Sequence, residues 1–251
     1  MTLSLFAGWV TRAARKAAPA AAIAVLALGA GTASAGVITL GTSGWTASWD
    51  SSLDPDLSLA VTSETANTVV ITKTATFRNN TPIPIAFQQT SPNAVPSIVI
   101  DNETVANASG SAWSGFRFTI LGALTPPSSV PQFNVANTNI GGAGGFSITP
   151  FTAGTFSDGG FGDGVPRQLD IDSGGSVPSG PPSTAGPNVW TPGLASGALW
   201  ISANPSATGT QSFTFKEAPV SNVIPTPAAA WSGLTTMLGL GLMGAYRRVR
   251  R

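Results

Sequence analysis

The residues best suited to chemistry in this chain are four carboxylates in a glycine-rich stretch. Asp158 and Asp163 flank the run Gly159-Gly160-Phe161-Gly162, and Asp170 and Asp172 follow. Ca²⁺ prefers clustered carboxylate oxygens on loops, so these four residues are candidate calcium ligands. The spacing is not that of an EF-hand and the unit does not repeat. We therefore favour the alternative that they form Asp and Gly turns, and we expect no bound cofactor.

Two Asp-x-Asp units offer a second kind of chemistry. Asp54 and Asp56 form one unit, and Asp170 and Asp172 form the other. Residues two apart on a strand share a face, so either unit could present the paired carboxylates of a glycosidase. Pro55 favours a turn for the first unit because its ring restricts the backbone. Nothing marks one carboxylate as an acid with a raised pKa, so a glycan hydrolase is the most distant alternative.

The chain contains neither histidine nor cysteine. A Ser-His-Asp or Cys-His arrangement, a zinc site of the usual ligands and an imidazole general base are therefore excluded. The nucleophile elbow and the phosphate-binding loop are also absent from the sequence. We expect a protein that is not an enzyme.

Tryptophan suggests a binding function instead. Trp45 and Trp49 are four residues apart and would share one face of a strand, where exposed rings could stack on a glycan. Trp113, Trp190 and Trp200 lie elsewhere in the sequence. Exposed rings would indicate a carbohydrate-binding module, whereas buried rings would be core residues of a sandwich. Solvent exposure discriminates the two interpretations.

The elements that must position these residues have the pattern of strands. Residues 68–78 alternate between threonine and apolar side chains, with Lys73 as the exception on the apolar face. This period of two predicts a half-buried strand. Asn79-Asn80 predicts a tight hairpin turn, because asparagine tolerates positive φ. Pro82 and Pro84 predict that the return strand is an edge strand or begins late.

The remaining domain follows the same pattern. Strand patterns occur at 37–40, 45–49, 97–101, 114–121, 198–203 and 211–216. Short strands separated by Gly, Pro and Asn predict an all-β fold over residues 36–222, an antiparallel β-sandwich of the jelly-roll or immunoglobulin-like kind. Residues 141–193 are rich in Gly, Pro and Ser and predict long loops. Phenylalanines should pack the first half onto the sandwich, and residues 173–193 should be loosely ordered.

The charge of this domain excludes one class of partner. The whole chain has 12 basic and 11 acidic residues, but residues 36–227 hold all 11 acidic and only five basic ones. The domain therefore carries a formal charge of −6, and its cations are scattered. It lacks the basic patch that nucleic-acid binding requires.

The N-terminus has the features of a signal peptide over residues 1–35. A basic segment precedes a 12-residue apolar stretch (20–31), which is too short to span a membrane comfortably. Ala33-Ser34-Ala35 then supplies the small residues that signal peptidase reads. The mature chain is predicted to begin at Gly36.

The C-terminus predicts a membrane helix. Residues 228–246 form a 19-residue apolar run, which as a helix would be about 28 Å long, close to the thickness of a bilayer core. Arg247, Arg248, Arg250 and Arg251 follow it. Basic residues at one end mark the cytoplasmic side, so the domain should lie outside the cell.

This tail resembles a known sorting signal. Pro225-Thr226-Pro227, the apolar helix and the terminal arginines together resemble the PEP-CTERM signal, although Thr226 stands where that family usually has Glu. The resemblance covers residues 223–251 and implies an exported bacterial protein that exosortase cleaves. The alternative is a retained transmembrane anchor.

The PEP-CTERM resemblance implies a destination rather than an activity. It places the protein at the cell surface or in the extracellular matrix of bacteria that make exopolysaccharide. The expected partners are signal peptidase, an exosortase, the membrane during sorting, and exopolysaccharide. We therefore predict a surface-sorted structural or adhesive protein, with a carbohydrate-binding module as the alternative.

Overall fold

A computed structural model describes residues 36–122, 130–193 and 197–221. The predicted signal peptide (1–35), including Ala33 and Ala35, lies outside these residues, as do the sorting signal (223–251) and its helix. In the described part of the chain, no helix is long and apolar enough to cross a membrane.

Thirteen strands make up about half of the described residues. They are β1 (Gly36–Thr39), β2 (Trp45–Trp49), β3 (Leu57–Glu64), β4 (Thr68–Phe77), β5 (Ile83–Gln89), β6 (Ser97–Asn107), β7 (Trp113–Gly122), β8 (Gln132–Phe133), β9 (Ala153–Ser157), β10 (Gln168–Asp172), β11 (Val189–Trp190), β12 (Leu199–Ser202) and β13 (Ser212–Ser221). A 3₁₀ turn (Ser51–Leu53) and a one-turn helix, α1 (Val135–Thr138), lie between them.

The strands form two sheets. One has the order β1-β2-β5-β13-β7-β10-β9, and the other has the order β3-β4-β6-β12-β8, with β11 also paired to β6. Every strand pair in the described residues is antiparallel except β4 with β6, which is parallel. The prediction of an all-β, sandwich-like fold is confirmed, and the parallel pair is a departure from the purely antiparallel arrangement expected.

The buried faces of both sheets contribute to one hydrophobic core. On β4 the predicted apolar face is buried, from Val69 to Phe77. Phe77 meets Trp113 edge to face at 5.4 Å, and Phe116 meets Trp190 at 5.0 Å. Such ring pairs contribute about 0.5–1.5 kcal/mol each beyond the area they bury. Aromatic packing therefore holds a core that has no disulfide to support it.

The predicted hairpin at Asn79-Asn80 is wrong. β4 belongs to one sheet and β5 to the other, so this turn carries the chain from sheet to sheet. Asn79 Oδ1 accepts a hydrogen bond from the Thr81 amide at 2.8 Å, and Asn80 Nδ2 donates to Ser221 Oγ at 3.0 Å. The same turn residues suit a hairpin and an arch between sheets, and the local pattern does not distinguish them.

The predicted edge position of β5 is wrong for the strand as a whole. β5 lies between β2 and β13. However, the pairing with β2 covers only residues 86–89, while Pro84 pairs with Lys216 of β13. At Pro84 the strand has a neighbour on one side only, which is where a residue without an N–H is tolerated.

The Gly-, Pro- and Ser-rich region is tied to the sandwich along its length. Phe146 and Phe151 are buried, as predicted for the first half. The second half is not the loosely ordered excursion expected, because Val177 bridges to Trp113 and β11 pairs with β6. Buried Asn188 donates from Nδ2 to the carbonyl of Pro181 at 2.9 Å. Outside the short strand β11, the Asn188 side-chain amide thus supplies hydrogen bonds that a regular strand would make with its backbone.

Candidate functional site

Three charged residues meet inside the hydrophobic core, and we call them the core cluster: Lys73, Glu103 and Glu217. Lys73 Nζ lies 2.5 Å from Glu103 Oε1 and 2.7 Å from Glu217 Oε2. All three side chains are at most 1% exposed. Lys73 and Glu103 stand on neighbouring strands of one sheet, and Glu217 stands on β13 of the other. The cluster therefore joins the two sheets through titratable groups.

Alternation along two strands directs Lys73 and Glu217 inward. On β4, Lys73 lies between the buried residues Ile71 and Ala75. On β13, Glu217 follows the buried residue Phe215 at the same spacing of two. Since successive side chains of a strand point to opposite faces, both residues must enter the core if their neighbours do.

A β-bulge directs Glu103 to the same place. Ile71 of β4 pairs with Ile100 of β6, but the next residue, Thr72, pairs with Asn102, so Asp101 has no partner across the ladder. The extra residue reverses which positions of β6 face inward. As a result Glu103 is buried and lies in register with Lys73.

The protonation of the core cluster follows from its burial. The pKa of Glu217 is raised to about 8, mainly because the group is desolvated, and the attraction of Lys73 does not cancel this effect and the added repulsion from Glu103. Burial alone would lower the pKa of Lys73, but the two carboxyl groups outweigh it and the pKa is raised above 10.5. At neutral pH the cluster therefore contains an ammonium and a protonated Glu217.

The hydrogen bonding of the cluster is incomplete. Lys73 Nζ donates to Glu217 Oε2 and forms an ion pair with Glu103 Oε1. Apart from these contacts with Lys73, the oxygens of Glu103 and Glu217 have no assigned hydrogen-bond partner in the described residues. A buried charged group without its partners costs about 1–3 kcal/mol or more, so the cluster is an expensive feature of the core.

Two surface cavities of the described residues do not reach the core cluster. One cavity of about 250 Å³ lies beside Arg78 and Asn79, and a groove of about 560 Å³ lies on the outer face of β5 and β13. None of the three cluster residues lines either of them. The chemistry available to the cluster is therefore chemistry among its own groups.

The predicted calcium ligands Asp158 and Asp163 are engaged in local turns. Asp158 accepts hydrogen bonds from the amides of Gly160 and Gly162, both at 2.8 Å, and the bond from Gly160 is the main reason that its pKa is lowered. Asp163 accepts from the Val165 amide at 3.1 Å. It also pairs with Arg167, whose side chain is fully buried. These are the Asx turns expected of the alternative interpretation.

The other two candidates are engaged on strand β10. Asp170 accepts from Arg117 Nε at 2.5 Å and from Gln168 Nε2 at 2.6 Å, and Asp172 accepts from Ser173 Oγ at 2.9 Å. Within the described residues, no group of three or more metal-ligating side chains converges. The structure does not bring the four aspartates together.

The first Asp-x-Asp unit, Asp54 and Asp56, is in a turn, as Pro55 predicts. Asp54 accepts from Trp49 Nε1 at 2.9 Å, and Asp56 accepts from Arg78 Nε at 2.7 Å. Neither carboxylate faces another across a cleft, so the glycosidase geometry is not found here. The two aspartates of this unit stabilise the turn through hydrogen bonds to Trp49 and Arg78.

The predicted glycan platform is wrong for Trp45. Trp45 is completely buried and donates from its indole N–H to the Val95 carbonyl at 2.9 Å. Trp49 packs partly against the core, and Trp200 is half-buried on the other sheet. Trp113 and Trp190 are buried as well. Trp45, Trp113 and Trp190 serve packing, because each contacts phenylalanine rings in the core.

Sequence reasoning missed the core cluster but contained one sign of it. Lys73 interrupts the apolar face of a strongly alternating strand, and a buried lysine requires a buried acid. Glu217 occupies the next inward position after Phe213 and Phe215, one residue beyond the predicted strand. Glu103 gives no such sign, because the bulge at Asp101 reverses which positions of β6 face the core.

Comparisons with protein-family models, with curated proteins and with solved structures find no match to this chain.

Proposed function

We propose that this chain is an exported, surface-sorted structural or adhesive protein of the bacterial extracellular matrix. The observation that supports this best is that the charged side chains of the described residues are largely paired with one another. The core cluster is sealed, and each arginine of the described residues pairs with an aspartate: Arg78 with Asp56, Arg117 with Asp170, and Arg167 with Asp163. Such a domain is suited to bear load or present a surface rather than to turn over a substrate.

The proposed route begins with cleavage by signal peptidase before Gly36. Gly36 is the first residue of β1 and pairs with Trp49. A Cβ atom at this position would overlap the Trp49 ring and the Asp54 carboxylate, so glycine is required there. Cleavage before Gly36 would leave β1 whole in the mature chain.

The proposed route ends with exosortase. The PEP-CTERM-like signal at Pro225-Thr226-Pro227 would be cut after the helix inserts with Arg247 to Arg251 on the cytoplasmic side. The sandwich is proposed to be of the jelly-roll or immunoglobulin-like kind, with the parallel β4–β6 pair as its irregularity. Exopolysaccharide is the proposed matrix partner, bound without a cofactor.

The carbohydrate-binding alternative loses its main support from the burial of Trp45. A glycan hydrolase also lacks support, because Glu103 and Glu217 both contact Lys73 instead of facing a cleft. We therefore keep a single proposal. The outward surface of the seven-stranded sheet, rich in Ser, Thr and Ala, is where a matrix partner would be met.

The sorting proposal is tested on surface material from the producing cell. N-terminal sequencing should begin at Gly36, and the intact mass should lack residues 228–251. As a matched control, replacement of Arg247, Arg248, Arg250 and Arg251 by Ala should release the chain unprocessed, because the charges that hold the helix end at the cytoplasmic side are gone. A surface protein that keeps its arginines would support a retained anchor instead, and one that begins at Met1 would refute signal cleavage.

The matrix function is tested by deleting the gene. Cells without the chain should lose cohesion of their matrix, and the full chain should restore it while the arginine-free chain should not. A pull-down with the cell's own exopolysaccharide then identifies the partner. Normal cohesion without the chain would contradict a structural role.

A further inference from the structure

The core cluster holds an amine and a carboxyl group at reacting distance. Lys73 Nζ lies 2.7 Å from Oε2 of Glu217, in hydrogen-bond geometry. A nitrogen at this distance from a carboxyl oxygen lies roughly 3–3.5 Å from the carboxyl carbon, which is the range of near-attack arrangements. The two groups belong to opposite sheets and are held there by the packing of the whole core.

The protonation states also suit acyl transfer. A neutral carboxylic acid is an electrophile for an amine, whereas a carboxylate is not, and Glu217 is the group that burial keeps protonated. The amine must lose one proton before it can attack. Glu103 is the base within reach, because its Oε1 lies 2.5 Å from Lys73 Nζ in an ion pair.

We propose that the core cluster is a self-modification site at which Lys73 and Glu217 condense to an intramolecular amide. Lys73 transfers a proton to Glu103, and Nζ then forms a bond to Cδ of Glu217. The C–O bond of Glu217 breaks, Glu103 relays protons to the departing hydroxyl, and one water leaves. Lys73 and Glu217 end as a neutral amide, and Glu103 ends protonated. No oxidant or reductant is needed.

The burial of the cluster favours this reaction. Before condensation the core contains an ammonium and a carboxylate, and afterwards it contains no charge, so the desolvation cost of both ions disappears. Because the fold already holds the amine and the carboxyl group together, the reaction does not lose the translational and rotational entropy of bringing two reactants together. This advantage corresponds to effective molarities of about 10⁵ M or more. Since the side chains are at most 1% exposed, water is excluded from the product.

The amide would have a mechanical consequence. It would tie β4 of one sheet to β13 of the other and close a loop between residues 144 positions apart. A chain without cysteine cannot form a disulfide there. The inference goes beyond the proposed matrix function and does not depend on it.

Mass spectrometry of the exported full chain tests the proposal. Peptide mapping should recover the peptides of Lys73 and Glu217 as one linked species that weighs one water less than their sum. On a denaturing gel, the linked chain should migrate faster than an unlinked variant. Recovery of both peptides unlinked would overturn the proposal and leave an ion cluster only. A link from Lys73 to Glu103 would overturn the roles assigned to the two acids.

Variants separate the roles of the three residues. Glu217→Gln should still link, losing ammonia instead of water, so its product has the same mass as the wild-type product. Lys73→Arg and Glu103→Gln should not link, and a chain with Lys216→Arg, a surface lysine on β13, should link like the wild type. Full linking in Glu103→Gln would overturn its role as the base. If that variant does not fold, the water loss in the wild-type chain still decides whether the amide forms.

Discussion

The acidic loop at residues 158–172 and the core cluster use carboxylates in opposite ways. In the loop, each aspartate accepts hydrogen bonds from nearby donors, as Asp158 does from two glycine amides. In the cluster, three of four carboxylate oxygens have no hydrogen-bond partner. The loop contains the residues that the sequence pattern predicts to be a site, yet nearby groups already donate hydrogen bonds to their carboxylates. The sequence pattern did not predict the cluster, and most of its carboxylate oxygens lack a hydrogen-bond donor in the described residues.

This difference teaches that the number of carboxylates is a poor guide to function. Exposed ion pairs contribute about 0–1 kcal/mol, because solvent screens them and side-chain ordering opposes them. Buried ionic groups interact strongly but are desolvated, so each depends on its partner. Substitutions in the two regions should therefore have very different effects.

The largest effect is expected for Lys73→Met. Removing the only cation of the cluster leaves Glu103 and Glu217 buried together, and breaking a buried pair costs about 3–5 kcal/mol. The free energy of unfolding, measured by urea denaturation, should fall by that amount. The matched control replaces all three residues with Met or Leu, which should recover most of the loss because no charge is then buried. A loss below about 1 kcal/mol in the single variant would mean that water reaches the cluster.

A smaller loss is expected where the acidic loop touches the core. Asp163→Ala leaves Arg167, which is fully buried, without the carboxylate it pairs with. Stacking on Phe161, 4.4 Å from the guanidinium carbon, then remains, together with the attraction of Asp158. We expect a loss of about 2–3 kcal/mol by urea denaturation. Adding Arg167→Met should reverse part of it, and an unchanged stability in the single variant would show that Arg167 turns outward.

The fold was predictable from sequence where the pattern is local. Alternation of side chains located β2 and most of β4, because both follow the period of two without interruption. It did not predict the partner of β5, since the Asn79-Asn80 turn suits a hairpin and an arch equally well. Register between strands depends on contacts across the whole sheet, and a sequence window does not contain them.

The candidate site was less predictable than the fold. Lys73 stood out because a lysine interrupts an apolar face, but its partners are 30 and 144 residues away. Glu103 faces inward only because Asp101 is bulged, and a single extra residue has no mark in composition. Trp45 was equally ambiguous, since only the opposing sheet decides whether a strand face is covered.

In chains in which Glu217 has not formed an amide with Lys73, the pH dependence of stability should come mainly from the core cluster. Its pKa is about 8 in the folded chain and 4.5 when exposed, so between these values the folded state holds a proton that the unfolded state has lost. Stability should therefore fall as pH rises from about 4.5 to 8. Urea denaturation at several pH values measures this on chains whose mass shows no water loss. Glu217→Gln removes the titrating group and should flatten the profile, as should the Lys73–Glu217 amide, and a slope that survives in Glu217→Gln would assign it elsewhere.

The smallest effect is expected from calcium at the acidic loop. The carboxylates there already accept N–H or O–H hydrogen bonds, and those donors would have to be displaced before an ion could bind. The melting temperature should be the same in millimolar Ca²⁺ and in chelator. Asp158→Asn is the suitable control variant, since Asp163→Ala would strand Arg167 and lower stability for a different reason. A saturable rise in melting temperature that is lost in Asp158→Asn would show that the loop binds calcium, because a ligand that binds only the folded state must stabilise it. In that case the carboxylates of the loop would serve to bind a metal ion, and the contrast drawn here, between carboxylates with and without hydrogen-bond donors in the protein, would fail.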